Sequence, residues 1–157
     1  NDLATTTSPL SETIDRVAAD LMGVERLGVA FSGGVDSSVL LALAARILGS
    51  DRVVALLGIS PSLAASERRL AHGVAGQIGV QVIEVIPPAV RTTLMGQEDN
   101  EQSMPLDDFL TETLDLLREK PDAKELAGER ARLEASLAAA EAALRAKVEA
   151  LAATASS

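Results

Sequence analysis

Ser32-Gly33-Gly34-Val35-Asp36-Ser37-Ser38 decides how this chain is read, because of what stands on either side of it. Before it, Arg26-Leu27-Gly28-Val29-Ala30-Phe31 is a short apolar run bounded by turn-compatible residues, the pattern of a buried strand. After it, Val39 to Leu48 has the composition and length of a packed helix. Strand, glycine turn and helix in that order make a phosphate cradle. Glycine permits positive φ and close backbone approach, and the unpaired N–H groups of a first helical turn point at an anion. The same residues also suit a plain helix start, with Ser, Gly and Asp acting only as turn and cap residues. Spacing excludes two better-known loops: no Gly-Lys-Ser/Thr ending follows the glycines, and no third glycine stands three residues on.

Working outward, Ser8-Pro9 opens a helix whose Leu10, Ile14, Val17, Ala18 and Leu21 share one face; it is expected to pack on the sheet and to close at Gly23. On the other side, Gly49-Ser50-Asp51 is a turn and Arg52 to Ile59 a second buried strand. Ser60-Pro61-Ser62 heads the next helix, with Ser62 as its expected cap, and Gly79 ends it before a third strand over Val80 to Ile86. Arg26 to Ile86 therefore reads βαβαβ. That alternation predicts an α/β fold with a parallel sheet and right-handed crossovers, whose ligands gather beyond the carboxyl ends of the strands.

The second half has a different texture. Pro87 and Pro88 stop the strand, and Gln97 to Gln102 is an acidic run read as a solvated loop, with metal binding as the rarer alternative. Pro105 suits a helix start, Asp107 and Asp108 favour its positive end, and Leu106, Phe109, Leu110, Leu114 and Leu117 form a stripe as far as Glu119. From Asp122 onward, Ala, Leu, Glu, Arg and Lys predict one long helix with Asp122 and Glu125 as a capping pair. Its seam runs through Leu126, Leu133, Leu137, Ala140, Leu144, Val148 and Leu151, which suits either a packing or coiled-coil helix or a loosely ordered tail. The expected organisation is a truncated nucleotide-binding α/β domain over 1–88, a loop and helix packing on it over 89–121, and the long helix over 122–157.

Composition narrows the function. A net charge of −9 repels a nucleic-acid backbone, and 1% aromatic content leaves little on which bases could stack. Apolar runs are too short to span a membrane and no basic-then-apolar leader opens the chain, so a cytoplasmic protein is expected; Asn1 to Thr7 is polar, and the initial Asn reads as a processed or excerpted start. The chain has no Cys and no Tyr, and His72 is its single histidine. It can therefore supply no thiolate nucleophile, sulfur donor, tyrosine acid or two-histidine metal site.

The complete run from Ser32 to Ser37 resembles the SGGxDS signature of the PP-loop ATP pyrophosphatases, which cleave ATP between its α and β phosphates. Val29 to Ser38, with Ser60-Pro61-Ser62-Leu63 and Gly76 to Val80, is similar to the LarE-type sacrificial sulfur transferases over roughly residues 10–80. The resemblance implies a three-layer Rossmann-like sheet of PP-loop type with a helical C-terminal extension, ATP and Mg²⁺ as cofactors, and a small-molecule acceptor that is adenylated. The missing cysteines argue against sulfur transfer. Val82 to Thr93 and Met104 to Leu110 are similar to a late strand, loop and helix of short-chain dehydrogenases, without that family's glycine loop or its Tyr-x-x-x-Lys pair, so the chain reads as a mosaic joined near Gly79.

On this reading Ser32, Gly33, Gly34 and Val35 present amides to the pyrophosphate, Ser37 and Ser38 add hydroxyls, and Asp36 holds Mg²⁺; Asp36 and Ser37 are the catalytic candidates. Asp36 equally suits the helix dipole without any ligand. By resemblance Ala30, Phe31, Gly58, Ile59 and Ser60 line the adenosine, though they also fit a core. Arg68, Arg69 and His72 suit a solvated helix face, or a reach toward the phosphates. A competing reading is a non-catalytic assembly protein: with three strands the first lies at a sheet edge, to be covered by the tail helices or by a second copy in a homo-oligomer.

Overall fold

The computed structural model describes residues 8–90 and 103–155; Asn1 to Thr7, Gln97 to Gln102 and the stretch following Val90 lie outside them. Along the chain run α1 (Pro9–Asp20), β1 (Leu27–Phe31), α2 (Val35–Leu48), β2 (Val53–Gly58), α3 (Ala65–Ile78), β3 (Gln81–Ile86), α4 (Leu106–Glu119), β4 (Glu125–Ala127) and α5 (Glu129–Ala155). The fold is α/β of the expected Rossmann-like type. Its strands form a four-stranded sheet in the order β1-β2-β3-β4, with β1 and β2 parallel and Leu27 opposite Val53 through Phe31 opposite Leu57. The described residues fall into two compact units that divide between Glu84 and Val85.

In the first unit the register puts Val29 and Phe31 on the same sheet face as Ala55 and Leu57, and all four are buried. Leu41 and Ala44 of α2 and Ala71 and Ala75 of α3 complete that core. The alanines let α3 lie close, and each fully buried Leu or Val contributes about 1.5–3 kcal/mol. β2 is buried at almost every position, as expected for a strand with neighbours on both sides, whereas β1 is an edge and exposes Gly28 and Ala30. The turn between α1 and β1 is tied from the strand-2 side: Arg52 donates to the carbonyl of Glu25 at 2.8 Å and to that of Val24.

Three local expectations change. Ser8 caps α1 as its sequence suggests, accepting from Leu10 N at 3.3 Å, but α1 buries none of its residues; Val17, Ala18 and Leu21 are half-buried, while Leu10 is 68% exposed. Ser62 does not cap α3. Its hydroxyl meets that of Ser60 at 2.9 Å inside a turn, and α3 begins three residues later, with Glu67 reaching back to accept from Ala64 N at 3.1 Å. An acid at the third helical position satisfies an orphan amide even where the cap residue is Ala.

The largest change is in the second unit. Asp122 and Glu125 do not start a helix, because Glu125–Ala127 is the strand β4, with Leu126 and Ala127 buried. The helix starts at Glu129, whose N–H donates to Glu112 of α4 at 3.3 Å. A carboxylate from another helix thus takes the capping role, and helix propensity alone cannot register such a tertiary contact. Along α5 Ala131 is buried, whereas Leu133, Leu137, Leu144, Val148 and Leu151 are 57–70% exposed. Among the described residues no helix is long and apolar enough to cross a membrane.

Candidate functional site

The chain leaves β1 at Phe31, turns through Ser32, Gly33 and Gly34, and enters α2 at Val35. Gly33 has φ +81°, a conformation that L side chains rarely adopt, and a Cβ built there would stand 3.0 Å from both Cα and Cβ of Ala71. Glycine is thus required twice, by dihedral and by space. Gly34 is the N-cap of α2 and offers no side chain to cap it, so the amides of the first turn receive no side-chain cap from it. Val35 is 79% exposed and Asp36 is exposed beside it.

The serines hold this loop in shape. Ser32 N–H donates to Ser37 Oγ at 3.3 Å, Gly34 N–H donates to Ser32 Oγ at 3.2 Å, and the two hydroxyls meet at 3.1 Å. Ser37 and Ser38 hydroxyls both donate to the Gly34 carbonyl, at 3.2 and 2.7 Å. Their hydroxyls therefore serve the loop itself, and the helix-start amides are the groups left to meet an anion.

The other sequence-predicted residues fall into two groups. Ala30 and Ser60 are exposed near the carboxyl ends of their strands, and Gly58 has open space where a Cβ would stand, so this edge has room for a ligand. Phe31 is 4% exposed and belongs to the core, and Ile59 packs against the same core half-buried. Among the described residues no group of three His, Asp or Glu side chains is assembled to hold a metal. Asp36 alone fits a Mg²⁺ that takes most of its ligands from phosphate oxygens and water.

Sequence reasoning missed Glu84. It sits in β3 between Ile83 and Val85, 7% exposed, and accepts from Arg68 Nε at 2.6 Å and from Arg68 Nη2 at 2.5 Å. His72 Nε2 lies 2.7 Å from the same carboxylate. Arg68 chiefly, with His72 adding to it against the cost of burial, holds the Glu84 carboxyl below its ordinary value. The one visible signal was a lone acid inside an apolar strand. A groove of about 470 Å³ along α4, lined by Asp108, Thr111, Glu112, Asp115, Leu116 and Glu119, presents four carboxylates and so repels a polyphosphate.

Comparison with known proteins agrees with the loop. The asparagine synthase family model matches residues 11–90, from α1 through β3 and past Gly79, where a mosaic join was expected. The NH(3)-dependent NAD(+) synthetase of Mesorhizobium japonicum is 35% identical over 81 residues, 49% of this chain and 25% of that protein. The pyridinium-3,5-bisthiocarboxylic acid mononucleotide synthase of Lactiplantibacillus plantarum is 36% identical over 66 residues, 42% of this chain and 24% of that protein. The chain thus spans about a quarter of the length of these relatives. With a βαβαβ body, a glycine turn at the end of its first strand and a family match over half its length, the chain belongs to the asparagine synthase family of the PP-loop superfamily.

Proposed function

We propose that this chain binds ATP at the Ser32–Ser38 loop and adenylates a small carboxylate acceptor with release of pyrophosphate. The supporting observation is the loop itself: Gly33 locked at φ +81° against Ala71, directly followed by the uncapped start of α2. Amides fixed in advance stabilise charge without reorganising, and they do so most where charge grows, on the departing pyrophosphate. In the step, an acceptor carboxylate oxygen bonds to the α-phosphorus, the bond from that phosphorus to the α–β bridging oxygen breaks, and pyrophosphate leaves with the electron pair. No protein nucleophile takes part, which suits a chain without cysteine. Asp36 would hold Mg²⁺ together with the nucleotide, and the ion's chemistry is to neutralise phosphate charge.

The adenosine belongs beside Ala30, Gly58 and Ser60, at the open strand ends. Both relatives are named for products that carry a pyridine nucleotide, and this supports a small-molecule acceptor in place of nucleic acid, as do the −9 charge and scarcity of aromatics. Use of ATP is compatible with the cytoplasmic setting expected from the sequence. Calorimetric titration of Mg-ATP against the native chain and against Asp36→Ala with Ser37→Ala tests the site: micromolar heat lost in the double variant supports it, and equal heat in both refutes it. Pyrophosphate release with a panel of carboxylates then tests the reaction.

A second reading has its own observation. β1 is an edge strand and the apolar side chains of α5 from Leu133 to Leu151 are exposed, which favours association of copies. Light scattering after chromatography, with and without residues 129–157, tests it; a mass per particle equal to one chain in both removes it.

A further inference from the structure

One turn of α3 touches two things. Ala71, fully buried, would stand only 3.0 Å from a Cβ built on Gly33, and Arg68 and His72 on either side of it in α3 are both bonded to Glu84 of β3. The loop glycine thus has its shape because α3 comes this close, and α3 is held at that height on the sheet by a buried carboxylate. Arg68 and His72 are 50% and 45% exposed at their side chains, whereas that of Glu84 is 9% exposed, so the anchor is the acid and the two bases reach in to it. The Arg68 contact uses both carboxylate oxygens, a fork geometry that fixes direction as well as distance. Apolar packing of Ala71 and Ala75 on the sheet cannot set that height alone, since small smooth side chains tolerate sliding; the polar contacts select one register.

We infer that Glu84 is a positioning residue for the phosphate loop, acting through Arg68 and His72 to hold the turn of α3 that bears Ala71 against Gly33. Its consequence for ATP rests on the reading of the loop given above; its consequence for loop geometry does not. Glu84 touches neither nucleotide nor metal in this scheme. It keeps the amides after Gly33 aimed, so its loss should loosen binding without removing any ligand contact.

The test compares Glu84→Gln and His72→Gln with Ile83→Val, a neighbouring core truncation on β3 that leaves all three polar partners intact. Backbone amide NMR of the nucleotide-free chain is recorded for each, followed by Mg-ATP titration. With positioning by Glu84, the amide signals of Ser32, Gly33 and Gly34 shift or broaden in Glu84→Gln, less so in His72→Gln, and stay in place in Ile83→Val. ATP affinity then falls about tenfold in Glu84→Gln and less than twofold in Ile83→Val. Loop amides unmoved in both Gln variants overturn the inference, as does an equal loss of affinity in Ile83→Val. If Glu84→Gln fails to fold, His72→Gln with Arg68→Lys carries the same comparison. A native chain that binds no ATP but whose loop amides respond to Glu84→Gln refutes the nucleotide reading and leaves the positioning role standing.

Discussion

The glycine loop and the helix α5 are both written in small residues, yet the molecule treats them in opposite ways. Around Gly33 the chain is fixed from several directions: a positive φ, no room for a side chain beside Ala71, and five hydrogen bonds among Ser32, Gly34, Ser37 and Ser38. Along α5 the alanines build a regular helix of 27 residues, but its leucines from 133 to 151 face solvent. Small side chains in the loop are there to let other groups come close. In α5 they raise helix propensity, and those from Ala135 to Ala153 are exposed. A functional loop is therefore recognised by how many independent demands meet on one residue, and a long clean helix pattern carries much less.

Substitution should separate the two regions sharply. Gly33→Val combines backbone strain of about 2 kcal/mol with overpacking against Ala71 of about 2 kcal/mol. Urea denaturation should show a loss near that sum, about 4 kcal/mol, and calorimetry should show no Mg-ATP binding; a loss under about 1 kcal/mol would mean the loop is softer than its geometry implies. Leu41 of α2, completely buried in the core shared with β1 and β2, should cost about 3 kcal/mol when cut to Ala.

The next effect is one of pH. Glu84 has its folded carboxyl held below the ordinary value, so its stabilisation is complete above the unfolded carboxylate pKa of about 4.3 and is lost as pH falls through the folded value. Thermal melts from pH 7 down to pH 3 should fall less steeply in Glu84→Gln than in the native chain. Parallel curves would remove Glu84 from the acid response. At the small end, Leu144→Ala on α5 replaces a side chain 64% exposed with a better helix former and should change stability by less than about 0.5 kcal/mol. A larger loss in dilute solution would show that a partner surface covers α5 and would sharpen the second functional reading.

Much of the first unit is legible in the sequence. Apolar runs of strand length at 26–31, 52–59 and 80–86 alternate with helical spacing and contain β1, β2 and β3, and Gly79 ends α3 as expected, in the left-handed conformation at φ +83°. The loop residues were readable because turn, cap and anion chemistry all ask for the same types. Three things were not legible. Ser62 resembles a cap because capping is local, but Glu67 competes for the same duty from inside the helix. β4 is three residues long within a stretch of strong helix formers, and it is burial of Leu126 and Ala127 that decides it. Glu84 looks like a strand residue facing water until Arg68 and His72, 16 and 12 positions away, are seen to meet it.

The central claim is that the amides opening α2 receive the phosphates of ATP, and amide-resolved NMR during a Mg-ATP titration tests it most directly. The predicted result is saturable shifts largest at Gly33, Gly34, Val35, Asp36 and Ser37, with smaller ones at Ala30, Gly58 and Ser60. Saturable shifts that gather instead on α4 or α5, or none at the loop at millimolar nucleotide, would contradict it.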